Sequence, residues 1–213
     1  ADGLGYVYDV AVTPNGDMYI AALDKVWKAT PSGAITLVAG NGGSGFSGDG
    51  GPATSASLWE AQGVAVDGVG NVFIADTNNH RIRRVDAVTG MISTVAGSGP
   101  SGYTVGSSCY PDATCGDGQA ATAARLSRPK GIDVAPDGTL YIADGGHHRV
   151  RAVLTDGTIV NVAGIPAYTE GGFYGDGNAA AGAALSFPAA VVRTPLGVLV
   201  SDTGNGRLRL VQP

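Results

Sequence analysis

The sequence predicts an all-β fold, a β-propeller of four blades, on three observations. One phrase is written three times: VFIADTNNHRIRRV at 72–85, LYIADGGHHRVRAV at 140–153 and VLVSDTGNGRLRLV at 198–211, with starts 68 and 58 residues apart. Self-similarity at such a period marks a repeat architecture. A short apolar run precedes each copy (63–67, 131–135 and 190–193), and a further strand follows two of them (91–97 and 158–164). Asn-Gly, Asp-Gly, Ser-Gly and Thr-Gly turns separate these runs, which is the signal of a β-meander. Four-stranded meanders in tandem read as propeller blades.

The elements follow in order. A degenerate unit opens the chain, with strands near 10–12, 18–21, 26–30 and 35–39. The second and third units carry the complete pattern, and the fourth stops at Pro213, directly after its third strand. This predicts one domain over 1–213, with blades near 4–40, 58–97, 126–164 and 185–213 and connectors at 41–57, 98–125 and 165–184. In the repeat frame Leu4 aligns with Leu58, Leu126 and Leu185, so three residues precede the first inner strand. The outer strand of blade four is thus expected to be missing. The expected architecture is an open arc, or one completed by another copy.

The run GFSGDGGPATSASL, followed by GVAVDGVGNVFIADTNNHRIRRVDAVTGMISTVAG, resembles the NHL repeat, in the form common in secreted bacterial proteins and in the teneurin propeller. The resemblance extends over nearly the whole chain. It implies a β-propeller, usually of six blades, and does not by itself imply an activity, because function resides in sites grafted on folds.

Composition agrees with tight turns joining buried strands: 35 of 213 residues are Gly and 15% are charged. A chain of this length can bury a sizeable core in one domain. The net charge of −5 argues against a nucleic-acid surface, which needs a basic field. Seven of the 10 Arg lie in the repeated strand. No apolar run approaches the ~18 residues of a membrane span.

Cys109 and Cys115 lie six apart in a loop rich in Ser, Gly, Tyr and Pro, which is expected to be closed by a disulfide and suits an oxidising location. Three Lys, abundant small residues and no visible signal peptide lead to the expectation of a secreted, extracellular or cell-surface protein with Ala1 as its mature N-terminus. Asn-x-Ser/Thr is absent, so N-glycosylation is not expected.

Candidate chemistry has to be weighed against the repeat. Asp76, Asp144 and Asp202 end the second strand of their units, and Arg83, Arg151 and Arg209 follow seven residues later. A catalytic pair is one interpretation. The better one is structural: the Asp caps the following turn through backbone N–H groups, and the Arg satisfies it across the hairpin. His80 and His148 recur four residues after the Asp, on one rim of consecutive blades. The family resemblance adds that a propeller enzyme of NHL-like fold, the peptidylglycine amidating lyase, holds zinc with His at such loops. Here Gly206 occupies the third position and the first unit has a shortened turn, so two His without a third ligand make a weak metal site.

Gly43-Ser44-Gly45-Phe46-Ser47-Gly48 satisfies G-x-G-x-x-G, but the dinucleotide fingerprint needs a parallel βαβ unit. The following Gly48-Asp49-Gly50 recurs as Gly116-Asp117-Gly118 and Gly175-Asp176-Gly177, the mark of an inter-blade connector. One carboxylate per connector is too few for calcium. No cofactor is therefore expected. Long connectors on a rigid scaffold often carry recognition. Their aromatics, Trp59, Tyr103, Tyr110, Phe173 and Tyr174 foremost, with Phe46, Tyr168 and Phe187, are candidates for protein or carbohydrate contact, or for packing over blade edges.

The expected function is therefore that of a non-catalytic extracellular structural or interaction module. It self-associates through its incomplete terminal blades into a ring or a head-to-tail filament. Two alternatives remain: a metal-dependent lyase- or hydrolase-like propeller enzyme using His80 and His148, and a carbohydrate- or protein-binding adhesin fragment of a larger propeller. Neither a nucleic-acid partner nor a membrane span is expected.

Overall fold

A computed structural model of the chain describes residues 4–99, 114–165 and 172–212. It is an all-β, four-bladed propeller of antiparallel sheets. Blade one holds β1 (Val7–Val12), β2 (Met18–Ala22), β3 (Lys25–Ala29) and β4 (Ile35–Ala39). Blade two holds β5 (Ala61–Val66), β6 (Val72–Asp76), β7 (Arg81–Val85) and β8 (Ile92–Ala96). Blade three holds β9 (Pro129–Val134), β10 (Leu140–Asp144), β11 (Arg149–Val153) and β12 (Ile159–Ala163). Blade four holds β13 (Ala190–Thr194), β14 (Gly197–Asp202) and β15 (Arg207–Val211), and its sheet has three strands among the described residues.

Within each sheet the strands pair in chain order as a meander. The register is common to all four: Ile20 pairs with Val10 and Trp27, Ile74 with Val64 and Arg83, Ile142 with Ile132 and Arg151, and Val200 with Val191 and Arg209. Because the side-chain period of a strand is two, this shared register sends the same positions to the same face of every blade.

The core sits between blades. Val26 and Ala39 of blade one pack against Leu58, Val64 and Ile74 of blade two. Ile82 and Ala96 of blade two meet Leu126, Ile132 and Ile142 of blade three. Val150 and Ala163 of blade three meet Leu185, Val191 and Val200 of blade four. Inner strands also stack directly, β1 on β5, β5 on β9 and β9 on β13. Gly63 and Gly131 permit that approach, since a Cβ on either would lie 2.2 Å from the Lys130 carbonyl or 2.7 Å from the Ala190 Cα.

The described part of each connector packs between two blades. The first connector forms a single 3₁₀ turn, Ala53–Ser55, and its counterpart in the last connector is Ala180–Gly182. The carbonyls of Ala53, Ala121 and Ala180 accept from Gly40, Gly97 and Gly164, which close the preceding blade's outer strand. No helix among the described residues is long and apolar enough to cross a membrane.

Candidate functional site

The thrice-repeated acids and arginines meet in buried networks. Asp76, Asp144 and Asp202 are fully buried. Arg83 approaches Asp76 at 3.2 Å, Arg151 approaches Asp144 at 3.7 Å and Arg209 approaches Asp202 at 3.4 Å. The turn-capping role expected of these acids is corrected: their side chains bond none of the backbone N–H groups of the following 3₁₀ turns. Each carboxylate instead accepts a backbone N–H from the connector's end, from Trp59 (2.8 Å), Ser127 (2.7 Å) and Ser186 (2.7 Å). The physical reason is burial, because an N–H entering the blade junction there has no water and must find an acceptor.

A second acid on the other side of each arginine comes from the Gly-Asp-Gly connectors. Asp49 pairs with Arg83 at 2.7 Å, Asp117 with Arg151 at 2.5 Å and Asp176 with Arg209 at 2.6 Å. These carboxylates, weighed above as calcium ligands, each grip a repeat arginine. Sequence reasoning missed the partnership, although a constant offset to the arginine signalled it: 34 residues from Asp49 and from Asp117, and 33 from Asp176.

The first and second copies differ electrostatically. Burial pushes the Asp76 carboxyl up, against the lowering pull of the Trp59 N–H, Asn79 and Arg83. Burial acts on Asp144 in the same sense, but His147, Arg151 and Arg149 outweigh it and hold this carboxyl below its ordinary range. The difference arises three residues beyond the acid. Asn79 and Asn205 donate to Asp76 and Asp202 at 2.8 Å, whereas His147 Nδ1 lies 2.8 Å from Asp144. His147 was not singled out in the sequence; its alignment with two amide donors was the available clue.

His80 and His148 take the left-handed conformation at the ends of their turns, with φ of 56° and 55°, where the last unit has Gly206 at 62°. Each accepts through Nδ1 a backbone N–H of the following blade: His80 from Arg128 at 3.3 Å and His148 from Phe187 at 3.0 Å. The Phe187 ring meets His148 edge-on at 4.3 Å. Burial pushes the His80 imidazole below its usual range. Among the described residues no group of three or more His, Cys, Asp or Glu is arranged to hold a metal ion. Cys109 lies outside the described residues, so its pairing with Cys115 stands as a sequence expectation.

On the rim, Phe46 and Phe173 recur beneath arginines, with Arg81 4.0 Å and Arg207 3.8 Å from the ring centres. Trp59, Phe173 and Tyr174 are half-exposed. Tyr103, Tyr110 and Tyr168 lie outside the described residues. A channel of about 550 Å³ runs between the inner strands of all four blades. Two of its carboxylates are engaged between blades: Asp9 accepts from the Val64 N–H at 3.0 Å and Asp133 from the Arg193 N–H at 2.6 Å.

The two ends of the arc are different. Val10 aligns with the buried Val64, Ile132 and Val191, yet is 44% exposed, and Val12 beside it is 66% exposed. Leu208 aligns with the buried Val26, Ile82 and Val150, yet is 70% exposed, with Leu210 beside it at 42%. In blade one Trp27 replaces the repeat arginine and, with Leu4, packs over Ile20, Ala22 and Ala29. Val10 and Val12 remain bare.

The sequence profile of the Teneurin NHL domain matches residues 41–104 and 101–169, which span blades two and three. Teneurin-3 of Mus musculus is 40% identical over 116 residues, 51% of this chain and 4% of its own length. Teneurin-4 of Homo sapiens is 38% identical over 115 residues, again 51% of this chain and 4% of that protein. The chain therefore spans a small fraction of these curated relatives. Among solved structures, an auxiliary nutrient binding protein from Bacteroides thetaiotaomicron superposes with a TM-score of 0.62 at 19% identity, over 92% of this chain and 44% of the other. A streptogramin B lyase gives 0.55 at 14% identity, over 95% and 50%. A gluconolactonase from Xanthomonas campestris gives 0.54 at 16% identity, over 91% and 53%. At such identities these likenesses show the propeller fold alone. With the profile covering more than half its length, the chain belongs to the Teneurin NHL domain family.

Proposed function

We propose that this propeller is a non-catalytic extracellular interaction module whose open ends recruit a second copy of the chain, head to tail. The observation that supports it is a match between the two ends. Every internal interface joins a following-side residue of one blade (Val26, Ile82 or Val150) to a preceding-side residue of the next (Val64, Ile132 or Val191). Leu208 and Leu210 are the following-side residues of blade four, Val10 and Val12 the preceding-side residues of blade one, and all four are exposed. A second copy brings the missing partner to each face, and such heterologous contacts close into rings or propagate as filaments. The family membership supports an interaction role. The engagement of His80 and His148 in inter-blade hydrogen bonds supports the non-catalytic part.

Native mass measured across a concentration series tests the proposal. The expected result is growth from monomer to discrete or open-ended multimers, abolished by Leu208→Glu and equally by Val10→Glu. A strictly monomeric particle at every concentration overturns self-association. Stoichiometric zinc or calcium in the purified protein overturns the non-catalytic assignment in favour of a metal-dependent lyase or hydrolase.

A further inference from the structure

Three non-glycine residues take the left-handed conformation at one repeated place: Glu60, Arg128 and Phe187, at φ of 52°, 48° and 44°. Each stands two residues beyond a buried leucine (Leu58, Leu126 or Leu185), where a connector turns toward the inner strand of its blade. Side chains of this size rarely hold that conformation, so each position needs a tie from outside. The tie is the backbone N–H of the strained residue. Its acceptor is in every case the last residue before the third strand of the preceding blade. Glu60 donates to Asp24 Oδ1 at 2.8 Å, Arg128 to His80 Nδ1 at 3.3 Å and Phe187 to His148 Nδ1 at 3.0 Å.

The acceptors differ in chemistry. A carboxyl group keeps an acceptor oxygen whether or not it takes up a proton. An imidazole nitrogen accepts only while it carries no proton, because both nitrogens of the charged ring are donors. At the junction of blades two and three, His80 is committed on both sides. Its ring also donates to the Leu126 carbonyl, a bond that falls to Nε2 because Nδ1 is accepting. Thr77, at the other end of the same turn, donates its hydroxyl to the Pro129 carbonyl at 2.7 Å. The turn thus holds the approach to β9 at three points, two of them through one imidazole.

The charged and titratable groups around His80 come from blade three: Asp144 at the end of β10, His147 of the turn after it, and Arg128 itself. Burial opposes the charged ring most; Asp144 and the Leu126 carbonyl favour it, and Arg128 and His147 oppose it. Arg81, the next residue in the chain, turns its guanidinium to the Gly97 and Ser98 carbonyls. The balance holds the imidazole below its ordinary value of 6.5. The contribution of the bond is therefore complete above that value and is lost as pH falls from it toward the lowered one.

We infer that His80 is an acid-released latch between blades two and three: the neutral ring holds the Leu126–Arg128 segment with both nitrogens, and a proton taken up at Nδ1 in mild acid frees the Arg128 N–H. The strained Arg128 then loses its tie and the approach to β9 opens, while the junction of blades one and two, tied by Asp24, stays closed. The latch lies inside the chain and is independent of how copies associate.

The test is backbone amide exchange of the whole chain, resolved by NMR and corrected for the intrinsic rate. Between pH of about 7.5 and about 5.5, the opening constant at the Arg128 N–H should rise about 10-fold, as linkage requires of a ring that titrates normally once released and lower while held. The Glu60 N–H should show no such rise. Titration of the His80 ring itself should show the Nε2–H form at neutral pH and a midpoint below 6.5. His80→Asn, a residue at home in the left-handed region whose amide oxygen accepts at any pH, should abolish the response at Arg128. His147→Asn, the residue that blades two and four carry at that place, should leave it intact, which separates His80 from its titratable neighbour. Exchange and ring titration are both read on the native protein, so they decide even if a variant fails to fold. A His80 midpoint at or above 6.5, an equal acid response at Glu60 and Arg128, or a response that survives His80→Asn or vanishes with His147→Asn overturns the inference.

Discussion

At the scale of single residues, the repeat Asp is a junction with three partners: a connector N–H, a turn side chain and the arginine of the next strand. Removing one member leaves buried charge unmatched, which costs about 3–5 kcal/mol for a buried pair. Asp76→Ala is expected near the lower end, about 3 kcal/mol in a chemical-denaturation measurement, because Arg83 keeps Asp49 at 2.7 Å. Asp144 adds a pH dependence. Its folded-state carboxyl is held below the ordinary value of 3.8, so its stabilisation is complete above that value and is lost as pH falls through the lowered one. The thermal stability gap between the native protein and Asp144→Asn should therefore be widest near neutrality and shrink in strong acid. A gap that does not change with pH would refute the charge assignment. Asp76, whose carboxyl burial pushes up, gives the opposite sign: protonation favours its folded state, so Asp76→Asn should show no such closing gap.

At the scale of elements, blades are joined by alternating apolar faces and by inner strands in backbone contact. Gly63 shows how close that contact is, since its added Cβ would sit 2.2 Å from the Lys130 carbonyl oxygen. Gly63→Ala should force blades two and three apart and lower the melting temperature by several degrees, although Ala is ordinarily the better-ordered residue. A neutral or stabilising result would show that the inner strands have room to shift. Ile92→Ala, which empties a fully buried site at the start of β8, should cost about 2–5 kcal/mol. The repeat period and the alternation of apolar residues made strand order and blade number legible. The shape of the connectors was not legible, because their hydrogen bonds join residues far apart in the chain. The Asp49–Arg83 pair spans 34 positions, and only the recurrence of that offset from unit to unit reports such a contact.

At the scale of the whole molecule, the proposed head-to-tail contact rests on the exposed Val10, Val12, Leu208 and Leu210. Association should then survive about 0.5 M salt, where the screening length shortens to a few ångströms. Dissociation by salt alone, read by sedimentation velocity, would assign the contact to charged rim residues instead. Trp27 in place of the repeat arginine distinguishes the first blade from the rest, since that position covers the apolar surface of Ile20, Ala22 and Ala29. The exposed rim aromatics are a separate matter. Trp59→Ala should leave stability within about 0.5 kcal/mol, since its hydrogen bonds, to Asp76 and from the Asn78 N–H, are made by main-chain atoms that the substitution keeps.

The sequence by itself determined the blade frame, the meander order and the identity of the repeated polar residues. Periodicity and turn chemistry are local, and local signals survive in one dimension. Only the tertiary structure decided what the polar residues do. It turned the expected turn caps into connector clamps, gave the Gly-Asp-Gly acids to the arginines, and made His80 and His148 acceptors for the next blade. These partnerships exist only once two blades and the connector between them have packed, because each joins residues far apart in the chain.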